Sequence, residues 1–154
     1  MYVSCSKTPG SPRASGSCPF IVPSNLATGT YELRLLSNDS YTSLATSNSF
    51  AVTGATLNVS PTTIARGGTV TATWNGIAAP TARDWIGLYT PSGANQSFID
   101  WIFVSCSKNP TTGSASGSCP FTVPVSVAPG TYQMRLFTNN TYTLLATSNA
   151  LTVQ

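Results

Sequence analysis

The stretch Gly68-Thr69-Val70-Thr71-Ala72-Thr73-Trp74-Asn75 sets Val70, Ala72 and Trp74 on one side of an extended chain and three threonines on the other. Period-two alternation of this kind marks a strand with one face in a core and one in water. Working outward, the same reading makes strands of residues 55–60, ended by Pro61, and of 83–89, followed by the turn Pro91-Ser92-Gly93. Residues 97–107 and 117–123 flank a Ser/Gly/Pro loop, 130–138 follow the turn signal Pro129-Gly130, and 144–153 form the last strand. No apolar period of 3.6 residues is sustained over about ten positions, so no helix is expected.

Seven short strands within roughly 100 residues define an all-β fold, an immunoglobulin-like or fibronectin-III-like sandwich. The repeat structure of the chain extends this reading. At an offset of 101 residues, 30 of 53 positions are identical without a gap, from Val3-Ser4-Cys5-Ser6-Lys7 on Val104-Ser105-Cys106-Ser107-Lys108 to Leu44-Ala45-Thr46-Ser47-Asn48 on Leu145-Ala146-Thr147-Ser148-Asn149. Residues 54–154 therefore form one complete unit of seven strands, and residues 1–53 match only its second half. A half sandwich leaves apolar faces and strand edges bare, so it requires completion by preceding or neighbouring sequence. Two expectations follow. Either the chain is a window on a longer array, with Met1 in the position of Ile102, or a neighbouring molecule donates the missing strands.

Composition narrows the function classes. Only 7% of residues are charged, while 44 are Ser or Thr, so the surface is hydroxyl and amide rather than ionic. The net charge of +3 comes from scattered residues without a Lys/Arg cluster, which gives no footprint for nucleic acid. No apolar run is long enough to span a membrane. The first residues lack a basic segment and an apolar run, so a signal peptide is expected to be absent or removed.

The cysteines fall in two equally spaced pairs, Cys5 with Cys18 and Cys106 with Cys119. Zinc ligands sit closer together and this chain has no His, so no metal or other cofactor is expected. Disulfides are, each clamping a hairpin and stabilising it by about 3 kcal/mol, which implies an oxidising, extracellular or cell-surface location.

Without His the usual general base is missing, and the candidate acids are Glu32, Asp39, Asp84 and Asp100. Glu32 aligns with Gln133 and Asp39 with Asn140, so neither belongs to both copies; Asp84 is expected to pair with Arg135 across strands. The reading is that the protein is not an enzyme. Along residues 97–107, alternation places Phe98, Ile102, Val104 and Cys106 on one face and Ile99, Trp101 and Phe103 on the other. With Tyr2 at the position of Phe103, residues Tyr2, Ile99, Trp101 and Phe103 make a candidate contact surface: covered by the module's own loops, joined to another unit, or open as a platform for sugar rings. Sequons at Asn38, Asn58, Asn95 and Asn139 are candidate glycosylation sites.

The run Asp84-Trp85-Ile86-Gly87-Leu88-Tyr89, followed by Gly130-Thr131-Tyr132 and Arg135-Leu136, resembles the tandem sandwich modules of bacterial extracellular proteins and, more distantly, the SKICH domain. The resemblance covers most of each unit and implies a spacer, an adhesin or an appendage to an enzyme. The linker Thr53-Gly54 is too short to be a flexible tether, so successive units should stack as a semi-rigid rod. The expected function is a structural subunit of an extracellular tandem-repeat filament, stalk or adhesin, self-associating or arrayed within one chain. The alternative is a carbohydrate-binding or ancillary module of a secreted enzyme. Glycans are the other expected partner.

Overall fold

The computed structural model describes residues 1–23 and 26–154, and its secondary structure among these is entirely β. In the first 53 residues the strands are β1 (Gly29–Tyr31), β2 (Arg34–Leu36), β3 (Ser43–Thr46) and β4 (Phe50–Val52). The remainder holds β5 (Thr56–Ser60), β6 (Thr63–Ile64), β7 (Thr69–Asn75), β8 (Trp85–Tyr89), β9 (Asp100–Phe103), β10 (Gly117–Thr122), β11 (Gly130–Phe137), β12 (Leu144–Thr147) and β13 (Leu151–Val153).

Two sheets enclose one core in residues 54–154. One has the order β10-β7-β5, and the other β6-β13-β11-β8-β9 with β12 also on β11. Val70, Ala72 and Trp74 are buried as their alternation requires, against Leu57, Val59, Cys119 and Phe121 of their own sheet and Ile86, Leu88, Met134 and Leu136 of the facing one. Burying a side chain of this size is worth about 1.5–3 kcal/mol, and this core is what makes the sandwich.

The strands depart from expectation in several places. Thr63–Ile64 pairs in parallel with β13, a two-residue strand too short to show a period, and the expected last strand breaks at Ser148, so β12 and β13 share one side of β11 in succession. The expected hairpin between the strands around the Ser/Gly/Pro loop does not form. β9 pairs with β8 and β10 with β7, so the loop carries the chain from one sheet to the other. Cys106–Cys119 accordingly joins the turn after β9 to a strand of the opposite sheet, with Cα atoms 5.1 Å apart, and Cys119 is fully buried. It bridges the sandwich rather than clamping a hairpin. Cys5–Cys18 repeats the bond with a Cα separation of 5.2 Å.

Residues 1–53 hold only part of this framework. The pairings β1·β4 and β2·β3 keep the register of β11·β13 and β11·β12 at the 101-residue offset, including the irregularity after Leu35, which matches that after Leu136. Residues 16–21, equivalent to β10, form no strand. The reason is partnership: a ladder forms where both strands are present, and the equivalent of β7 is missing. The core residues follow suit. Val104, Phe121 and Leu136 are 5%, 2% and 0% exposed, whereas Val3, Phe20 and Leu35 are 46%, 45% and 46% exposed.

Candidate functional site

The motif at residues 84–89 is the most elaborately bonded part of the chain. Alternation along β8 sends Ile86 and Leu88 into the core and Trp85, Gly87 and Tyr89 to the outer face of the sheet. There Trp85 stacks on Phe137 with ring centroids 4.5 Å apart, and Phe98, Trp101 and Tyr142 meet it edge-on. Gly87 is dictated by its neighbours. A Cβ there would lie 2.8 Å from the Tyr89 ring and 2.9 Å from the Trp85 ring.

Arg135 stands opposite Gly87 in the β11·β8 register and lies over the Tyr89 ring, 4.5 Å from its centroid. Its guanidinium donates to the carbonyls of Gly93 (2.7 Å) and Pro91 (3.1 Å) and to Asn95 Oδ1 (2.9 Å). Trp85 Nε1 donates to the Thr141 carbonyl and the Tyr89 hydroxyl to the Asn95 carbonyl. Burial pushes the Tyr89 phenol up to about 12, with the Arg135 charge opposing the shift and Tyr142 adding to it. The loop at 90–98 and the turn at 138–142 are thereby tied down over the aromatic rings.

The expected ion pair between Asp84 and Arg135 is not formed. Asp84 lies just before β8, level with Thr138 and Asn139, while Arg135 is level with Gly87, so three residues of strand, roughly 10 Å, separate them along the sheet. Each is satisfied separately. The fully buried Asp84 carboxylate accepts from Thr81 N (2.8 Å), Thr81 Oγ1 (2.7 Å), Asn139 N (2.8 Å) and Thr138 Oγ1 (3.3 Å). The other carboxylates have partners as well: Glu32 with Arg34, Asp39 with the Tyr2 hydroxyl, whose pKa it raises by accepting that hydrogen bond, and Asp100 with Lys108. Among the described residues, no group of three or more His, Cys, Asp or Glu side chains converges as metal ligands would.

The candidate contact surface divides. Phe103 is buried in the outer aromatic cluster and Trp101 is half-buried, with Lys108 Nζ 4.6 Å from its ring centroid; Ile99 is exposed and Tyr2 half-buried. Covering by the module's own loops therefore accounts for Phe103, which presents no flat ring to a sugar. Phe98 sits with Trp85 rather than on the Ile102 face, because the strand begins only at Asp100 and the alternation stops there. Of the sequons, Asn38, Asn58 and Asn139 are exposed, while Asn95 is half-buried with its amide committed to Arg135 and to the Tyr142 carbonyl. Gly87 and Gly117 are structural residues to which the sequence reading gave no role, and Asn95 figured there only as a sequon, not as the partner of Arg135. The pattern Trp-x-Gly-x-Tyr, which puts all three on one strand face, was the available signal for the first.

No family model matches the chain. A curated relative, "Probable inactive purple acid phosphatase 9" of Arabidopsis thaliana, is 35% identical over 85 residues, which is 54% of this chain and 12% of that protein. The chain thus spans about an eighth of the relative's length. A solved structure, that of purple acid phosphatase PPD1 from yellow lupin (Lupinus luteus) seeds, aligns at a TM-score of 0.46 and 18% identity over 64% of this chain and 21% of that one.

Proposed function

We propose that this chain is a structural module of an extracellular tandem-repeat filament, stalk or adhesin, in which disulfide-bonded sandwiches are stacked with little freedom between them. The observation that carries the reading is the junction. Only three residues separate Val52 of β4 from Thr56 of β5, and a Cβ built on Gly54 would lie 3.2 Å from the Thr28 methyl, while one on Gly76 would lie 3.2 Å from the Gly54 carbonyl oxygen. So confined a connection transmits orientation from one unit to the next. Polar atoms of the outer aromatic cluster are bonded to the chain's own backbone, which suits load-bearing better than ligand capture. The two disulfides accord with an oxidising compartment. Electron microscopy of the native full-length protein should reveal extended rods; compact isolated particles would contradict the reading.

A second reading, an ancillary non-catalytic module of a larger secreted enzyme, is favoured by the 85-residue similarity to part of a protein called a probable inactive phosphatase. Gel filtration of the native full-length protein with phosphatase assay of the same peak separates the two readings.

A further inference from the structure

The half unit is not merely exposed; it retains the seats of what covers it in the complete unit. In residues 54–154 the Trp74 indole rests on Gly117, where a Cβ would lie 2.5 Å from the ring. The equivalent Gly16 has nothing within 4 Å of its Cβ position. Around it, Met1, Tyr2, Val3, Ala14, Cys18 and Leu35 line an open cavity of about 400 Å³. Of the residues at these positions in the other copy, Ile102, Val104, Cys119 and Leu136 belong to the core that holds Trp74, while Phe103, the counterpart of Tyr2, lies in the outer aromatic cluster.

Polar seats are retained too. Asn38 and Asp39 hold φ values of 41° and 56°, matching 46° and 55° at Asn139 and Asn140, whose N–H groups bond the Asp84 carboxylate and the Arg83 carbonyl. Left-handed backbone at two successive non-glycine residues is costly, and in the complete unit those two bonds offset it. Arg34 is held by Glu32, two residues before it, and presents the guanidinium that its equivalent Arg135 uses on carbonyls 91 and 93 and on the Tyr89 ring. The edge of residues 32–36 corresponds to the one that pairs with β8 from Gln133 to Phe137.

We infer that residues 1–53 are the acceptor half of a sandwich whose occupant is a segment with the chemistry of residues 55–101, including an indole for Gly16 and a carboxylate for Asn38, joined in the same chain ahead of Met1. The inference rests on the tandem reading above. Copies of this chain cannot serve each other in a closed assembly. Each carries one first half and two second halves, and its one first half is already buried against residues 102–154. Position also favours the same chain: Trp101 closes the first half and leads directly into Ile102, the counterpart of Met1, so a covalently joined segment needs no linker and acts at high effective concentration.

The test compares the 154-residue chain with one in which residues 55–101 are repeated directly ahead of Met1, by amide hydrogen exchange at residues 32–36 and 20–22. In the extended chain those amides should slow by about 10³-fold or more, the range of small folded domains. Gly16→Leu in that chain, which fills the indole seat, should abolish the slowing while residues 54–154 keep theirs. Unchanged exchange in the extended chain overturns the inference. So does concentration-dependent protection of the 154-residue chain with a dimer mass in light scattering, which would make a second copy the occupant. Protection in an extended chain whose small-angle scattering shows no rod would uphold the acceptor and reject the filament.

Discussion

Replacing Asp84 by Ala should be among the most damaging single changes in the chain. The substitution takes from the N–H groups of Thr81 and Asn139 the fully buried carboxylate to which each is bonded at 2.8 Å. Each stranded donor costs about 1–3 kcal/mol, and the Thr81 and Thr138 hydroxyls can turn elsewhere, so the loss comes to about 2–6 kcal/mol. Set against a urea slope of about 1–3 kcal/mol/M, this lowers the unfolding midpoint by roughly 1–2 M or more. Asp84→Asn keeps one oxygen as acceptor and should lose about half as much. Equilibrium urea unfolding followed by tryptophan fluorescence reads both variants. A midpoint shift below about 0.3 M for Asp84→Ala, a small fraction of that cost, would refute the claim that this carboxylate anchors the turns at 81 and 139.

Three further outcomes are expected. Replacing Cys106 and Cys119 together by Ala should cost about 3 kcal/mol in the same assay, from the freed loop between the two sheets; a loss under 1 kcal/mol, well below the range for loops of this size, would mean that the bond constrains little. Gly87→Ala should destabilise by about 1–3 kcal/mol, as overpacking does, because the added methyl meets the Trp85 and Tyr89 rings; thermal unfolding of the variant checks it. Because burial raises the Tyr89 pKa to about 12, above the ordinary phenol value of 10.0, its contribution is intact below pH 10 and is lost as pH rises toward 12. Tyr89→Phe should therefore show a shallower alkaline decline in stability than the parent, and identical declines would contradict the burial of that phenol.

What the sequence made legible was facial, and what it concealed was partnership. Val70, Ala72 and Trp74 announce a buried face by alternation alone, and all three are at most 3% exposed. The cysteine spacing, repeated in both copies, likewise points to its bonds. Alternation does not say which strand lies alongside, so β9 and β10 read as a hairpin although they belong to opposite sheets. Asp84 and Arg135 read as a pair because their charges are opposite, yet backbone groups satisfy both, and a sequence does not display backbone groups as partners. Whether Phe103 is covered by loops, joined to another unit or open stayed undecided between three readings, because the turn and loop over its cluster carry no period of their own.

Residues 54–154 close a two-sheet sandwich, and residues 1–53 carry only the strand pairings of its second half. Hydrogen exchange within the 154-residue chain compares the two copies under identical conditions, each amide of residues 33–36 against its counterpart in 134–137. The expected result is strong protection of the Arg135 and Phe137 amides, which face β8, and near-bare-chain exchange at Arg34 and Leu36, whose edge has no such strand, while Leu33 keeps its bond to the Ser47 hydroxyl. Equal protection of the two sets in a monomer would contradict it.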